Sequence, residues 1–180
     1  NNGELVIIQK EEKKQKGITV LKFNNISSGA ELWISAPSLD AISTAGSGDF
    51  YAENDITGKS LELSIAGSGD SKLKNVTLTG DFEYVVAGSG DIETGRLQAR
   101  NASFSISGSG DVKSKLTQVK VTKLTIAGSS DGTLDFDHCG YAGISISGSG
   151  DVSLSGTLHS LDKSVSGAGD IDTKKLQLGK

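Results

Sequence analysis

The chain has 180 residues, of which 35% are hydrophobic and 5% aromatic, with 24 Gly, one Pro, one Cys and a formal net charge of −4. This mild acidity, with Arg96 and Arg100 as the arginines, argues against nucleic-acid binding, and no apolar run approaches the roughly 18 residues of a transmembrane helix. Abundant Gly with almost no Pro excludes collagen and a disordered Pro/Gly-rich chain, so the composition indicates a thin core with many chain reversals.

The first 38 residues differ in pattern from the rest. Alternating apolar residues predict strands at 4–10 and 17–23 on either side of a charged tip, and a third strand at 31–35 that ends before Pro37. We interpret residues 1–38 as an N-terminal β cap and residues 39–180 as one continuous repeat domain. The sequence contains no signal peptide and starts at Asn1, which is compatible with a trimmed exported segment or with a cloning boundary.

From residue 46 onward, a Gly-Ser-Gly-Asp tetrapeptide or a close variant occurs seven times. Its Asp residues are 19 to 21 positions apart, which is the signature of a tandem repeat. Two copies vary, because Ser130 replaces the second Gly of its tetrapeptide and Ala168 replaces the Ser. The first Gly residues of the seven copies are Gly46, Gly67, Gly88, Gly108, Gly128, Gly148 and Gly167, and the Asp residues are Asp49, Asp70, Asp91, Asp111, Asp131, Asp151 and Asp170.

The residues before each tetrapeptide alternate between apolar and polar. In the second repeat, Glu62 and Ser64 separate Leu61, Leu63 and Ile65. This period of two predicts a strand with one buried face. A weaker alternation follows each Asp, so each repeat contains two or three short strands, and no segment predicts a helix.

A unit of this length cannot bury an apolar face alone, but stacked copies can. The sequence therefore predicts an all-β fold, a right-handed parallel β-helix or solenoid with about seven coils of about 20 residues. Stacking in register would align similar apolar residues in a column: Ile42, Leu63, Tyr84, Phe104, Leu124 and Ile144. The column breaks at Lys163, where we expect the solenoid to end. An antiparallel β meander, with the tetrapeptide as a hairpin turn, is the alternative.

The tetrapeptide has two interpretations. As a structural turn, its Gly residues allow positive φ or close backbone approach, and its Asp accepts hydrogen bonds from nearby amides. As a functional site, the stacked residues from Asp49 to Asp170 would form a carboxylate ladder that binds cations. Calcium takes about six to eight oxygen ligands, whereas each coil offers one clear carboxylate. The pattern therefore favours the structural turn, with no cofactor expected and calcium as the less favoured alternative.

No set of residues forms a catalytic motif. The Gly-x-Gly patterns do not open helices, which argues against dinucleotide-binding and phosphate-binding loops. His138 and His159 are the available bases for a Ser/His/Asp site, and both lie in predicted turns. Rod-shaped enzymes that cleave polysaccharides need clustered Asp with Arg or Lys, whereas the carboxylates here are evenly spaced. We predict no catalytic, cofactor-binding or metal-binding residues, and we expect Cys139 to pack within the fold.

Units of the form (Ile/Val)-(Ala/Ser)-Gly-Ser-Gly-Asp-(Ile/Val) follow the segment Leu-Trp-Ile-Ser-Ala-Pro-Ser-Leu at residues 32–39. This pattern resembles the head GIN domain family of auto-transporter adhesins, a domain of unknown function in exported bacterial proteins. The resemblance covers essentially the whole chain and implies an extracytoplasmic β-helical domain with no assigned catalytic residues. Family members usually contain more strand-forming sequence before the position of Asn1, so the resemblance also implies that the start of the domain is missing.

The leading hypothesis is a non-enzymatic, extracytoplasmic β-solenoid that binds a surface glycan or protein. Such a module would be periplasmic, anchored to the outer membrane or secreted. Stiff repeated faces suit multivalent contact that needs little chemistry. The alternatives are an enzyme that acts on a polysaccharide along the rod and a purely structural envelope scaffold. Strand edges at the two ends of the rod leave a homo-oligomer as an open alternative.

Overall fold

The structure is a computed structural model that describes residues 19–26, 30–36 and 39–179. Within these residues it contains fifteen β-strands and no helix. The strands are β1 (Thr19–Ile26), β2 (Ala30–Ala36), β3 (Ala41–Gly46), β4 (Asp49–Ala52), β5 (Ile56–Gly58), β6 (Leu61–Gly67), β7 (Ser71–Leu78), β8 (Asp81–Gly88), β9 (Ile92–Gln98), β10 (Asn101–Gly108), β11 (Val112–Thr117), β12 (Val121–Gly128), β13 (Gly132–Gly148), β14 (Val152–Gly167) and β15 (Ile171–Leu178).

Two sets of parallel strands, one on each side of the Gly-Ser-Gly-Asp corner, form the walls of a rod. The strands before each corner make sheet A, in the order β3-β6-β8-β10-β12 followed by the later parts of β13 and β14. The strands after each corner make sheet B, in the order β4-β7-β9-β11, the earlier parts of β13 and β14, and β15. This parallel pairing between successive coils confirms the all-β solenoid and excludes the antiparallel meander for residues 39–179.

The predicted column of apolar side chains fills the interior of the rod. Strand register pairs Leu63 with Tyr84, Tyr84 with Phe104, and Leu124 with Ile144, and all five side chains are buried. Burying a side chain of this size contributes about 1.5–3 kcal/mol relative to leaving it exposed. A thin core is therefore sufficient to stabilise the fold, because every coil adds a further set of buried side chains.

The column of buried apolar side chains ends near the C-terminal end of the rod. Lys163 pairs with Ile144 and so occupies the next position of the column, but it is exposed. Among the described residues, sheet A ends at this part of β14, and Val165 on the same strand is 41% exposed. The break in the column at Lys163 therefore coincides with the end of sheet A, while sheet B continues for one further strand.

At the other end, a hairpin extends sheet B. Strand β1 pairs antiparallel with β2 on one side and with β4 on the other, which brings Leu21 opposite Ala52. The strands predicted at 17–23 and 31–35 correspond to β1 and β2. The strand predicted at 4–10, and Pro37, lie outside the described residues. The division of the chain at residue 38 stays a prediction.

Glycine is needed at the corners because successive coils approach closely there. Gly108 has a φ of 139°, and a Cβ built on it would lie 1.9 Å from the carbonyl oxygen of Gly88. A Cβ on Gly110 would lie 2.2 Å from the Gly90 carbonyl oxygen. Gly46, at the start of the array, has a φ of 108° but no described atom within 4 Å of such a Cβ. Close approach, in addition to positive φ, therefore selects Gly at the first position of the tetrapeptide in the stacked coils, whereas the second Gly position admits Ser130 in one coil.

We predict that Gly108→Ala lowers the free energy of unfolding by roughly 4 kcal/mol or more, because the new Cβ would overlap the Gly88 carbonyl and push two coils apart. Urea denaturation followed by circular dichroism measures the loss. Gly46→Ala is the matched control, since it has the strained φ without the overlap, and we expect it to cost about 1–3 kcal/mol. Equal losses in the two variants would show that close approach is not the reason for Gly.

Candidate functional site

The seven corner Asp residues connect the coils through their side chains. In the first six of them, one carboxylate oxygen, Oδ1, accepts a hydrogen bond from the backbone N–H of the Asp in the next coil, at N–O distances from 2.7 to 3.1 Å. Asp91, for example, accepts from the Asp111 amide at 2.7 Å and donates its own amide to Asp70 at 3.1 Å. We call this continuous set, from Asp49 to Asp170, the corner ladder.

Backbone hydrogen bonds continue on both sides of the corner ladder. The Ser89 amide donates to the Gly67 carbonyl at 2.9 Å, and the Ile92 amide donates to the Asp111 carbonyl at 2.9 Å. The Asp side chain provides an acceptor for the Asp amide of the next coil, which lies between these two positions. Hydrogen bonding between coils therefore continues through the turn instead of stopping at it.

The corner ladder also brings like charges close together. Carboxylates about 4.8 Å apart repel each other by roughly 1 kcal/mol in water, and the amide dipoles that point at each carboxylate offset this repulsion. The described residues contain no group of three or more His, Cys, Asp or Glu side chains arranged to hold a metal ion. The absence of a cation at the corner ladder stays a prediction, with calcium as the less favoured alternative, and a chelator can test it.

One variant of the tetrapeptide is accommodated by a new contact. Ser130, which replaces the second Gly of its copy, is fully buried, and its hydroxyl donates to the Gly108 carbonyl of the preceding coil at 3.2 Å. The corner therefore accepts a small polar side chain at this position when the side chain finds a backbone acceptor.

Beside the corner ladder, sheet B carries a groove of about 480 Å³, which we call the charged groove. Glu93 lies at its centre, 2.8 Å from Lys72 Nζ and 3.4 Å from Lys113 Nζ. The hydrogen bond from Lys72 lowers the pKa of Glu93 and raises the pKa of Lys72. The polar residues that line the groove are Tyr51, Asp70, Ser71, Lys72, Asp91, Glu93, Asp111, Lys113, Asp131 and Thr133.

A second concavity lies on the outer surface of sheet A, near its C-terminal end. This tyrosine depression has a volume of about 290 Å³ and combines one aromatic ring with charged and hydroxyl groups. The Tyr141 hydroxyl donates to Asp162 Oδ2 at 3.1 Å, and this hydrogen bond raises the pKa of Tyr141. The other polar residues that line it are Lys123, Thr125, Ser145, Lys163 and Ser164. Lys163 pairs with Ile144, so strand alternation directs its side chain to the opposite face of β14 from Asp162 and Ser164.

The tyrosine depression includes Tyr141 and Gly143, which occupy outward positions whose residue type varies from coil to coil. Gly143 leaves room beside Tyr141, since a Cβ at this position would lie 3.0 Å from the Tyr141 hydroxyl oxygen. The residues at the same register as Gly143 in other coils are Glu62, Glu83, Ser103, Lys123 and Asp162. Those at the register of Tyr141 are Asp81, Asn101, Val121 and Ser160. The sequence analysis did not identify this site. The feature that could have indicated it is a Tyr and a Gly at outward positions where the neighbouring coils carry other residues.

The two histidines considered as bases do not form a Ser/His/Asp arrangement. His138 is exposed, with Nδ1 2.7 Å from Asp137 Oδ1, and His159 is exposed on β14. Cys139 is buried, its thiol donates to the Leu116 carbonyl at 3.4 Å, and burial raises its pKa. The expectation that Cys139 packs within the fold is therefore confirmed.

The arginines do not contribute to either concavity, because Arg96 and Arg100 are exposed and line neither the charged groove nor the tyrosine depression. The described part of the chain contains no helix that is long and apolar enough to cross a membrane.

We predict that Asp91→Ala lowers the free energy of unfolding by about 1–3 kcal/mol, because it leaves the Asp111 amide without its acceptor. Asp91→Asn keeps an oxygen at the same place and should cost about 1 kcal/mol or less. Urea titrations of the two variants and the unchanged chain provide the comparison. Equal destabilisation by Asn and Ala would mean that the charge matters and the acceptor does not.

We also predict that EDTA leaves the melting temperature unchanged, because amide hydrogen bonds already offset the repulsion along the corner ladder. Differential scanning calorimetry with EDTA, and then with added Ca²⁺, measures any effect. Stabilisation by Ca²⁺ that disappears in Asp91→Asn would support the cation ladder instead, because mass action couples ligand binding to stability.

The family model described as "Putative auto-transporter adhesin, head GIN domain" matches residues 1–134 and 112–180, which together cover the chain. No curated protein and no solved structure matches. The repeated corners and the solenoid agree with the resemblance seen in the sequence. The chain belongs to the head GIN domain family of auto-transporter adhesins.

Proposed function

We propose that the chain is a non-enzymatic binding module that acts outside the cytoplasm, at the cell envelope or beyond it, and attaches to a partner on a surface. The name of its family, which refers to auto-transporter adhesins, supports both the binding role and the location. The parallel solenoid supports it further, since stacked coils present side chains at regular intervals of about 4.8 Å along a stiff rod.

The tyrosine depression supports this proposal most strongly, because its side chains differ from those on the rest of the outer surface of sheet A. Most outward positions of sheet A carry short side chains such as Ser64, Ser105 and Ala127, which offer few specific contacts. In the tyrosine depression, the outward-facing residues are Tyr141, Asp162, Lys123 and three residues with hydroxyl side chains, Thr125, Ser145 and Ser164. Convergent polar groups beside an apolar surface are typical of sites that bind small ligands.

Binding fits this site better than cleavage of a glycan. Glycosidases generally need two carboxylates about 5–9.5 Å apart, one to donate a proton and one to attack or to activate water. The tyrosine depression is lined by one carboxylate, Asp162, and Tyr141 already donates a hydrogen bond to it.

The charged groove is a second place to consider for the enzymatic alternative, because it contains several carboxylates beside lysines. Catalysis near neutral pH favours a carboxyl with a raised pKa as the acid and an amine with a lowered pKa as the base. Here the pKa of Glu93 is lowered and that of Lys72 is raised, which is the opposite of both requirements. The groove is better explained as an exposed salt-bridged surface.

We predict that the full chain binds a defined subset of surfaces on a glycan array or in a pull-down from intact bacterial cells. Tyr141→Ala should reduce the bound signal at least about tenfold, because stacked aromatic anchors dominate small interfaces. Tyr51→Ala, which removes the aromatic side chain of the charged groove, is the matched control and should bind normally. Incubation with the bound glycan should release no new reducing ends.

Three outcomes would count against this proposal. Turnover of a polysaccharide would support the enzymatic alternative. Loss of binding in Tyr51→Ala, with Tyr141→Ala unaffected, would move the site to the charged groove. No binding to any surface would leave the structural scaffold as the better explanation.

A further inference from the structure

We propose that two copies of the chain form a two-fold dimer through the C-terminal end of the rod, where β15 of each copy pairs with the free edge of β14 of the other. This assembly goes beyond the binding function proposed above and does not depend on it. We call the two segments involved, residues 160–167 of β14 and residues 171–178 of β15, the C-terminal edges.

Both C-terminal edges lack a strand partner on one side. Among the described residues, 160–167 pair with β13 alone, and β15 pairs with the earlier part of β14 alone. Edges of this kind present unpaired N–H and C=O groups, which can add a strand from another chain. The two segments are also equal in length, because each contains eight residues. They can therefore pair along their whole length.

Apolar side chains are exposed at the same end of the rod. Val165 is 41% exposed and Leu178 is 56% exposed, and these are the exposed large hydrophobic residues of the described chain. Val165 pairs with Ile146, and Leu178 pairs with Leu158, so each is the last member of a column of buried side chains. Apolar surface confined to one end of the rod indicates a contact surface there.

A two-fold axis parallel to the strands satisfies both C-terminal edges at once. The chain enters each corner along sheet A and leaves it along sheet B, so residues 160–167 and β15 run in opposite directions. Rotation about this axis keeps the strand direction and exchanges the two walls of the rod. It therefore places β15 of the second copy antiparallel beside β14 of the first, and symmetry forms the reverse contact. Such an isologous interface closes at two copies.

The N-terminal end of the rod is a poor partner for the C-terminal edges. Among the described residues, sheet A ends there at β3, whereas β1 and β2 extend sheet B by two strands beyond β4. If β3 of one copy stacked on β14 of another, this hairpin would overlap β15. The end-to-end dimer avoids the overlap, so a second copy in this orientation is the occupant that fits.

The residue types along the C-terminal edges agree with antiparallel pairing. A register with Val165 opposite Ile171 of the second copy brings together two apolar side chains that face the interior. The same register places Asp162 opposite Lys174, which already lies 3.8 Å from Asp172 of its own chain. Opposite charges on directly paired positions of two strands stabilise the pairing.

Lys163 limits the strength of this contact. It occupies an inward register on the free edge of β14, where an added strand would cover its ammonium group, and inward-pointing charges weaken edge pairing. The end of the rod is also small, roughly 26 Å along the strands and about 10 Å between the sheets. Because stable interfaces bury more surface than this, we expect a reversible dimer with a Kd of roughly 10–100 μM.

The first test is sedimentation equilibrium of the full chain from about 1 to 500 μM. We expect a monomer–dimer equilibrium. Val165→Asp should raise the Kd at least about tenfold, and Lys163→Ile should lower it about tenfold, because it removes the charge from the edge. Val85→Asp is the matched control, since Val85 lies on the outward face of sheet A between Ser64 and Ser105, and it should leave the Kd unchanged. Circular dichroism checks that each variant is folded.

The second test is disulfide cross-linking, which reports the register. Ser164 and Asp172 of the other copy lie opposite each other in the proposed pairing. An oxidised mixture of Ser164→Cys and Asp172→Cys chains should therefore give cross-linked dimers, whereas each variant alone should give few. The native Cys139 is buried and should not interfere.

A chain that stays monomeric over this concentration range would overturn the proposal. Species larger than dimers would overturn the two-fold arrangement in favour of open stacking. Unchanged dimerisation of Val165→Asp would place the contact elsewhere on the rod. Cross-linking of Ser164→Cys alone would show that β14 pairs with β14, which contradicts the proposed arrangement. None of these results bears on surface binding, which Tyr141→Ala tests separately.

Discussion

The close approach of successive backbones at the Gly-Ser-Gly-Asp corner is the constraint on which the rest of the rod depends. At Gly108 and its equivalents, the chain passes so near the carbonyl below that no side chain fits. The Asp three residues after each such Gly then accepts the amide of the next Asp. Because steric contact and hydrogen bonding fix the corner in register, the strands on both sides are also in register, and the apolar columns of sheets A and B follow from that alignment.

Most of this architecture could be predicted from the sequence, because repetition multiplies each local signal. Seven corners and a strict period of two indicated repeated strands, and the column from Leu63 to Ile144 favoured parallel stacking in register over an antiparallel meander. The break at Lys163 also located the end of sheet A. The turn chemistry of the tetrapeptide also predicted that the Asp side chain accepts hydrogen bonds from nearby amides. The sequence alone did not show that the donor amide belongs to the next coil, because that depends on the register of the strands.

The tyrosine depression could not be predicted in this way, because it depends on the few residues that do not repeat. Tyr141 and Gly143 are ordinary members of a strand when they are read along the chain. They become unusual only beside Val121, Lys123 and Asp162 in neighbouring coils. Close backbone approach and hydrogen bonding between coils explain why Gly and Asp recur at the corners. Their recurrence is therefore not evidence of a binding or catalytic role. Residues that could bind a partner are therefore sought at outward positions whose residue type differs between coils.

Hydrogen exchange of the corner amides directly tests whether the Asp carboxylates connect successive coils, because it reports whether the corner ladder is formed in solution. The amides of Asp91, Asp111 and Asp131 belong to exposed turn residues, yet each donates to the carboxylate of the preceding coil. We expect them to exchange as slowly as the strand amides of β10 and β12. Exchange at the rate of an unprotected surface turn would show that the carboxylates do not connect the coils.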